Sequence, residues 1–149
     1  MKANTSLHTL VDLSQNNVDD AARELQELRT QRDAAQSQLE MLQTYRQDYA
    51  QRLLDVGQTG VTMANYHNFR RFIVTLDQAV SQQNSVIQSL EEKMEQGRQV
   101  WYGHQQRLKA YETLIDRRLQ TQQVQQQRME QRSSDETAAR LYTRSQNAY

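Results

Sequence analysis

An apolar side chain recurs at alternating steps of four and three residues down two long segments of this chain, and the repeat breaks once. Over residues 7–56 the seam runs Leu7, Val11, Val18, Ala21, Leu25, Leu28, Ala35, Leu39, Leu42, Tyr49, Leu53 and Val56. It resumes with Phe69, Ile73, Leu76, Val80, Ile87, Leu90, Met94, Trp101, Leu108, Tyr111 and Ile115. Only helices that supercoil about a partner keep one stripe aligned at a period of about 3.5 residues. The break holds Gly57-Gln58-Thr59-Gly60, and glycine tolerates the left-handed backbone that ends a helix. The expected fold is all-α: a two-helix antiparallel coiled-coil hairpin with a longer second helix and a mobile C-terminal tail.

The expected boundaries are a hairpin over 1–132, with helices at about 5–56 and 62–132 and a turn at 57–61, then a flexible tail at 133–149. Thr5 or Ser6 would cap the first helix and Thr62 the second. About 50 helical residues span roughly 75 Å. Residues 120–131 contain seven Gln and only Val124 and Met129 as apolar side chains. The seam also fails there, at Arg118 and Gln122, so this stretch reads as a solvated helix.

Folding the hairpin back pairs seam positions whose numbers sum to about 122. Tyr49 then faces Ile73, Leu42 faces Val80, Ala35 faces Ile87, Leu28 faces Met94 and Leu7 faces Ile115. Small residues meet large ones: Gly97 against Leu25, and Ala21 against Trp101. A slip of one heptad spoils that size matching. Ser14, Arg32, Arg46, Gln83 and His104 interrupt the seam and, as polar seam residues do, can fix its register.

Composition agrees with a narrow apolar stripe and a wide wet surface. Hydrophobic residues are 36%, Gln numbers 25 and Pro is absent. A disordered chain of similar polarity would lack the period. Net charge is zero, which gives no electrostatic basis for binding nucleic acid or membrane. Residues 1–56 hold six basic and nine acidic side chains, net −3, and residues 66–149 hold twelve and nine, net +3. Opposite charge on the two helices favours their pairing, and the intramolecular hairpin predicts a monomer in isolation. The absence of Cys excludes disulfides and thiolate chemistry. No signal-peptide core or run of about 20 apolar residues is present, so a cytoplasmic protein without direct membrane insertion is expected.

Catalytic chemistry finds no foothold. His8, His67 and His104 are far apart, and Gly57-x-x-Gly60 lacks the lysine and hydroxyl that follow a phosphate loop. Carboxylates lie on exposed faces, and two helices offer little concavity. The expectation is a protein that is not an enzyme and binds no cofactor or metal. What stands out is a flank of the seam. With the heptad lettered so that Leu25, Leu39 and Leu53 are a and Leu28, Leu42 and Tyr49 are d, positions e and g normally carry charge. The e flank near the turn keeps to that pattern, charged, polar or small: Gln36, Gln43, Ala50, Arg70, Asp77, Asn84. The g flank presents Tyr45, Phe72, Ala79 and Val86 instead. In an antiparallel pair both g rows share a side, so Tyr45, Phe72 and Ala79, with the edges of Leu42, Tyr49 and Leu76, form one apolar aromatic patch. Two readings fit it: a docking surface, or a widened core that the rings roof over.

Several strings are more specific than the period: Leu7-x-x-Leu10-x-x-Leu13, Val18-Asp19-Asp20-Ala21-Ala22-Arg23, Gln38-Leu39-x-Met41-Leu42-x-x-Tyr45-x-x-x-Tyr49, and Asn68-Phe69-x-x-Phe72-Ile73-x-x-Leu76-x-x-Ala79. By these, residues 5–118 resemble FliJ, the coiled-coil family of the flagellar type III export apparatus. The resemblance implies a hairpin similar to the central stalk of rotary ATPases, which serves flagellum biogenesis, protein export, motility and chemotaxis. It further implies three partners: the flagellar export ATPase hexamer, the cytoplasmic domain of the membrane export gate, and substrate-free export chaperones. The protein would be peripheral to the inner membrane through that apparatus. The family's exposed positions correspond here to Gln38, Leu42, Tyr45, Tyr49, Phe72, Leu76 and Ala79. The family often has His where this chain has Gln83. By analogy to a stalk, the end bearing both termini would enter the ATPase ring and the patch would meet the gate. A stalk-like part of a virulence secretion system and a generic coiled-coil scaffold are the alternatives.

Overall fold

The computed structural model describes residues 2–60 and 62–147. It consists of two helices, α1 (Lys2–Thr59) and the longer α2 (Met63–Asn147), packed against each other. Strands are absent among the described residues. The expected fold class is therefore observed, with three differences at the ends. Helix α1 begins at Lys2, so Thr5 and Ser6 sit inside it instead of capping it. It also runs through Gly57 to Thr59, whose hydroxyl donates to the Asp55 carbonyl at 3.1 Å. The left-handed terminator is Gly60, at φ 75°, because only the residue just past the last helical turn has to reverse the chain. Thr62 caps α2 as expected, its Oγ1 accepting from the Asn65 amide at 3.4 Å. Val61, within the expected turn, lies outside the described residues.

The chain divides into two compact units. The first comprises Val18–Gly103 and contains the hairpin turn. Its core is the expected seam: Ala35, Leu39 and Ile87 form a buried cluster, with Val80 and Leu90 packed on it. Met94, at 3% exposed, is the most buried of the described side chains, and Val18, Ala21 and Leu76 are also buried. The register is visible at Gly97, where a Cβ would lie 3.0 Å from Leu25 Cδ2. The paired numbers sum to 122, as the size matching predicts.

Polar seam residues in this unit find partners. Arg46 forms an ion pair with Asp77 of α2, moving its charge to the e flank. Gln83 Nε2 donates to the Ala35 carbonyl at 2.8 Å and to Gln38 Oε1 at 3.2 Å. Arg32 pairs with its neighbour Asp33.

The second unit comprises Met1–Asn17 and His104–Tyr149. Leu7 and Ser14 are buried, and Val11, His104, Leu108, Tyr111 and Ile115 are half-buried. Every described residue beyond Ile115 is exposed. The helix nevertheless continues to Asn147, past residue 132, where the sequence pattern places the start of a flexible tail. Strong helix formers and the absence of Gly and Pro after Gly103 let the backbone continue without packing. Residues 148 and 149 of that tail lie outside the described residues.

Candidate functional site

The apolar flank lies entirely within the Val18–Gly103 unit. Its centre is an aromatic group drawn from both helices. Tyr49 packs on Phe72 with ring centroids 4.4 Å apart and planes tilted by 46°, and on Phe69 at 6.1 Å. The Arg52 guanidinium lies over the Tyr49 ring, 5.4 Å from its centroid, within cation–π range. Tyr49 is half-buried by these contacts, whereas Phe72 stays 43% exposed and Tyr45 52% exposed. In water an aromatic surface of this kind is a ready anchor for a partner.

The remaining expected positions divide by depth. Gln38 is exposed and accepts the hydrogen bond from Gln83. Leu42 and Ala79 are half-buried. Leu76 is a core residue, only 7% exposed. It points from a d position into the seam and lies beneath the exposed side chains of the flank.

Two exposed side chains extend the surface beyond the expected set. Met41 lines a groove of about 220 Å³ with Gln38, Leu42 and Tyr45. Val86 is 43% exposed, one heptad beyond Ala79. The g spacing already marks Val86 in the sequence. Met41, at position c, carries no such mark and is found only from the groove.

The opposite flank differs in kind. There Arg46 and Asp77 pair while each remains about half exposed, at 45% and 49%. One side of the coil near the turn is thus charged and self-satisfied, and the other is aromatic and aliphatic. Other depressions lie along outer faces, one of about 450 Å³ beside His67, Arg70 and Arg71 and one of about 530 Å³ along residues 130–141. Among the described residues no group of His, Asp or Glu is placed to hold a metal ion, and no helix is long and apolar enough to cross a membrane.

The sequence matches the family model described as "Flagellar FliJ protein" over residues 2–147. The chain belongs to the FliJ family. Two curated members show the extent of the likeness. The flagellar FliJ protein of Salmonella typhi is 35% identical over 145 residues, covering 97% of this chain and 98% of the relative. That of Escherichia coli strain K12 is 33% identical over 144 residues, with the same coverage. The match to the FliJ family therefore extends past residue 118, the limit of the resemblance read from the sequence, and includes the exposed C-terminal part of α2. FliJ-family membership and the two-helix fold were both expected from the strings and the heptads.

Proposed function

We infer that the protein is a non-enzymatic coupling component of flagellar type III protein export, located in the cytoplasm and peripheral to the inner membrane through the export apparatus. Its partners are the export ATPase hexamer, the cytoplasmic domain of the export gate and substrate-free export chaperones. The coil acts like the central stalk of a rotary ATPase, carrying position from one partner to another by docking. The observation that supports this reading is the exposed apolar g flank of Tyr45, Phe72 and Val86 in a FliJ-family chain. Exposed aromatics without core duty cost solubility, and they concentrate where partners bind. Of the expected residues, Gln38, Leu42, Tyr45, Tyr49, Phe72 and Ala79 form the contact surface and Leu76 supports it.

The test is binding of the purified full chain to the cytoplasmic domain of the export gate and to the export ATPase. Tyr45→Asp places a charge where the ring is half exposed. It is expected to weaken gate binding by at least about tenfold, as loss of an interface anchor does, while leaving the circular dichroism spectrum and ATPase binding unchanged. Equal gate binding by the variant and the parent chain would sink the assignment of this flank.

A further inference from the structure

A two-stranded coiled coil buries two of every seven positions, a and d, whereas a helix in a larger bundle also buries e or g. Between Phe69 and Leu90, α2 follows the second pattern. Phe72, Ala79 and Val86 add an apolar g row to the a and d seam, yet α1 covers the seam alone and leaves Phe72 and Val86 each 43% exposed. This part of α2 has the face of a bundle helix with one neighbour missing.

We propose that the missing neighbour is an amphipathic helix supplied by a partner protein, lying along the g flank and completing a three-helix bundle. The proposal rests on the docking reading above and names the form the partner takes. Two heptads separate Phe72 from Val86, a rise of roughly 21 Å, so the occupant is a helix of about 14–18 residues. The groove beside Gln38, Met41, Leu42 and Tyr45 holds about 220 Å³, room for one large apolar knob between the turns of α1. Among the g positions next to the turn, 38–52 on α1 and 72–86 on α2, Arg52 is the one charged residue; the carboxylate of Glu24 and the ammonium of Lys93 come only farther along the row. The occupant is therefore neutral or acidic at the end nearest the hairpin turn.

Other occupants fit less well. An extended strand gains its affinity from free backbone groups at a sheet edge, and a helical surface offers none. The C-terminal part of α2 carries Leu119, Val124 and Met129. Steps of five residues place these roughly 140° apart around a helix of about 3.6 residues per turn, so they make no stripe. A second copy laid along the same stretch would bring another Arg52, with no carboxylate at g positions 38–52 or 72–86 to meet it.

The experiment places a photoreactive benzoylphenylalanine at position 41, 45, 72 or 86 of the full chain, one at a time, in flagellated cells, with position 84 on the e flank as control. The expected adducts fall on one segment of another protein, at residues three, four or seven apart, and none arises from position 84. Val86→Asp should reduce the adduct from position 72 at least tenfold without changing helix content or melting. Tyr45→Ser gives the same readout should Val86→Asp unfold the coil. Adducts at alternate residues, adducts to a second copy, adducts scattered over several segments, or none from any of the flank positions would overturn the proposal. A helically spaced segment in a protein other than the export gate would leave it standing and refute the partner assigned above.

Discussion

The contact between Gly97 and Leu25 offers a direct test of the register, because the two residues can be exchanged in size. A Cβ on residue 97 would lie 3.0 Å from Leu25 Cδ2, 3.5 Å from Leu25 Cγ and 3.9 Å from Leu28 Cδ1, so the first carbon of a longer side chain already touches its neighbour. Gly97→Leu gains about 1 kcal/mol of helix propensity and loses about 1–3 kcal/mol to overpacking, a net cost of roughly 0–2 kcal/mol. Leu25→Ala removes three carbons from a half-buried side chain. At about 0.8 kcal/mol per fully buried methylene that is roughly 1–2 kcal/mol.

In the double variant the leucine introduced at position 97 occupies the space vacated at position 25. The clash disappears, the apolar volume returns and the propensity gain is kept. Stability should match or exceed that of the parent, giving a coupling energy of about 2–3 kcal/mol, within the range for residues in contact. Urea unfolding followed by circular dichroism at constant m-value measures all four corners of the cycle. A register slipped by one heptad would set Leu25 against Leu90 or His104, and residue 97 would not sense it. If the two costs simply add to within about 0.5 kcal/mol, the pairing argued here is wrong.

Leu76→Ala and Tyr45→Ala should separate core from surface. The first empties a 7% exposed site and costs about 2–4 kcal/mol, and the second, at 52% exposed, costs about 1 kcal/mol or less in the same urea assay. Gln83→Leu exchanges a hydrogen-bonded seam residue for an apolar one and should raise stability by about 0.5–1.5 kcal/mol. It also removes the support of Gln38, and loss of stability on this substitution would show that the bond to Ala35 matters more than burial. Asp77→Ala breaks a half-exposed ion pair and should cost under about 1 kcal/mol, less still in 1 M salt. Removing residues 116–147, all exposed, should lower the helical ellipticity but move the melting temperature by no more than about 2 °C, given roughly 2–4 °C per kcal/mol.

Most of the fold was legible because a heptad repeat is a long-range statement written locally. Each seam residue from Leu7 to Ile115 predicts its own burial, and Gly97 opposite Leu25 identifies the register without any coordinates. What the sequence hid is governed by degree, not by pattern. The heptad separates Leu76 in the seam from Phe72 at g, but that Phe72 stays 43% exposed rather than roofing over the core follows only from the fit of Tyr49 against Phe69 and Phe72. The same holds at the helix ends. Gly57 and Gly60 are equivalent by composition, and the hydrogen bonding of the last turn selects Gly60. The extension of α2 to Asn147 could not be read from hydrophobic periodicity, because it buries nothing.

A coil that must transmit position between partners faces opposing demands. Its seam has to be dry enough to hold two helices in register, but a surface that binds reversibly has to remain partly wet. On the function proposed above, the chain would meet both by dividing labour between the two sides of the same heptads. On the e flank, Arg46 reaches across to Asp77 and satisfies its charge within the molecule, leaving little for a partner to gain. On the g flank, Tyr49 is held by Phe69, Phe72 and Arg52, so ordering it on binding costs little further entropy. The exposed faces of Tyr45, Phe72 and Val86 then supply apolar area that a partner can bury. A charge introduced on that flank should therefore abolish docking while sparing the coil, and the same charge on the e flank should leave docking intact.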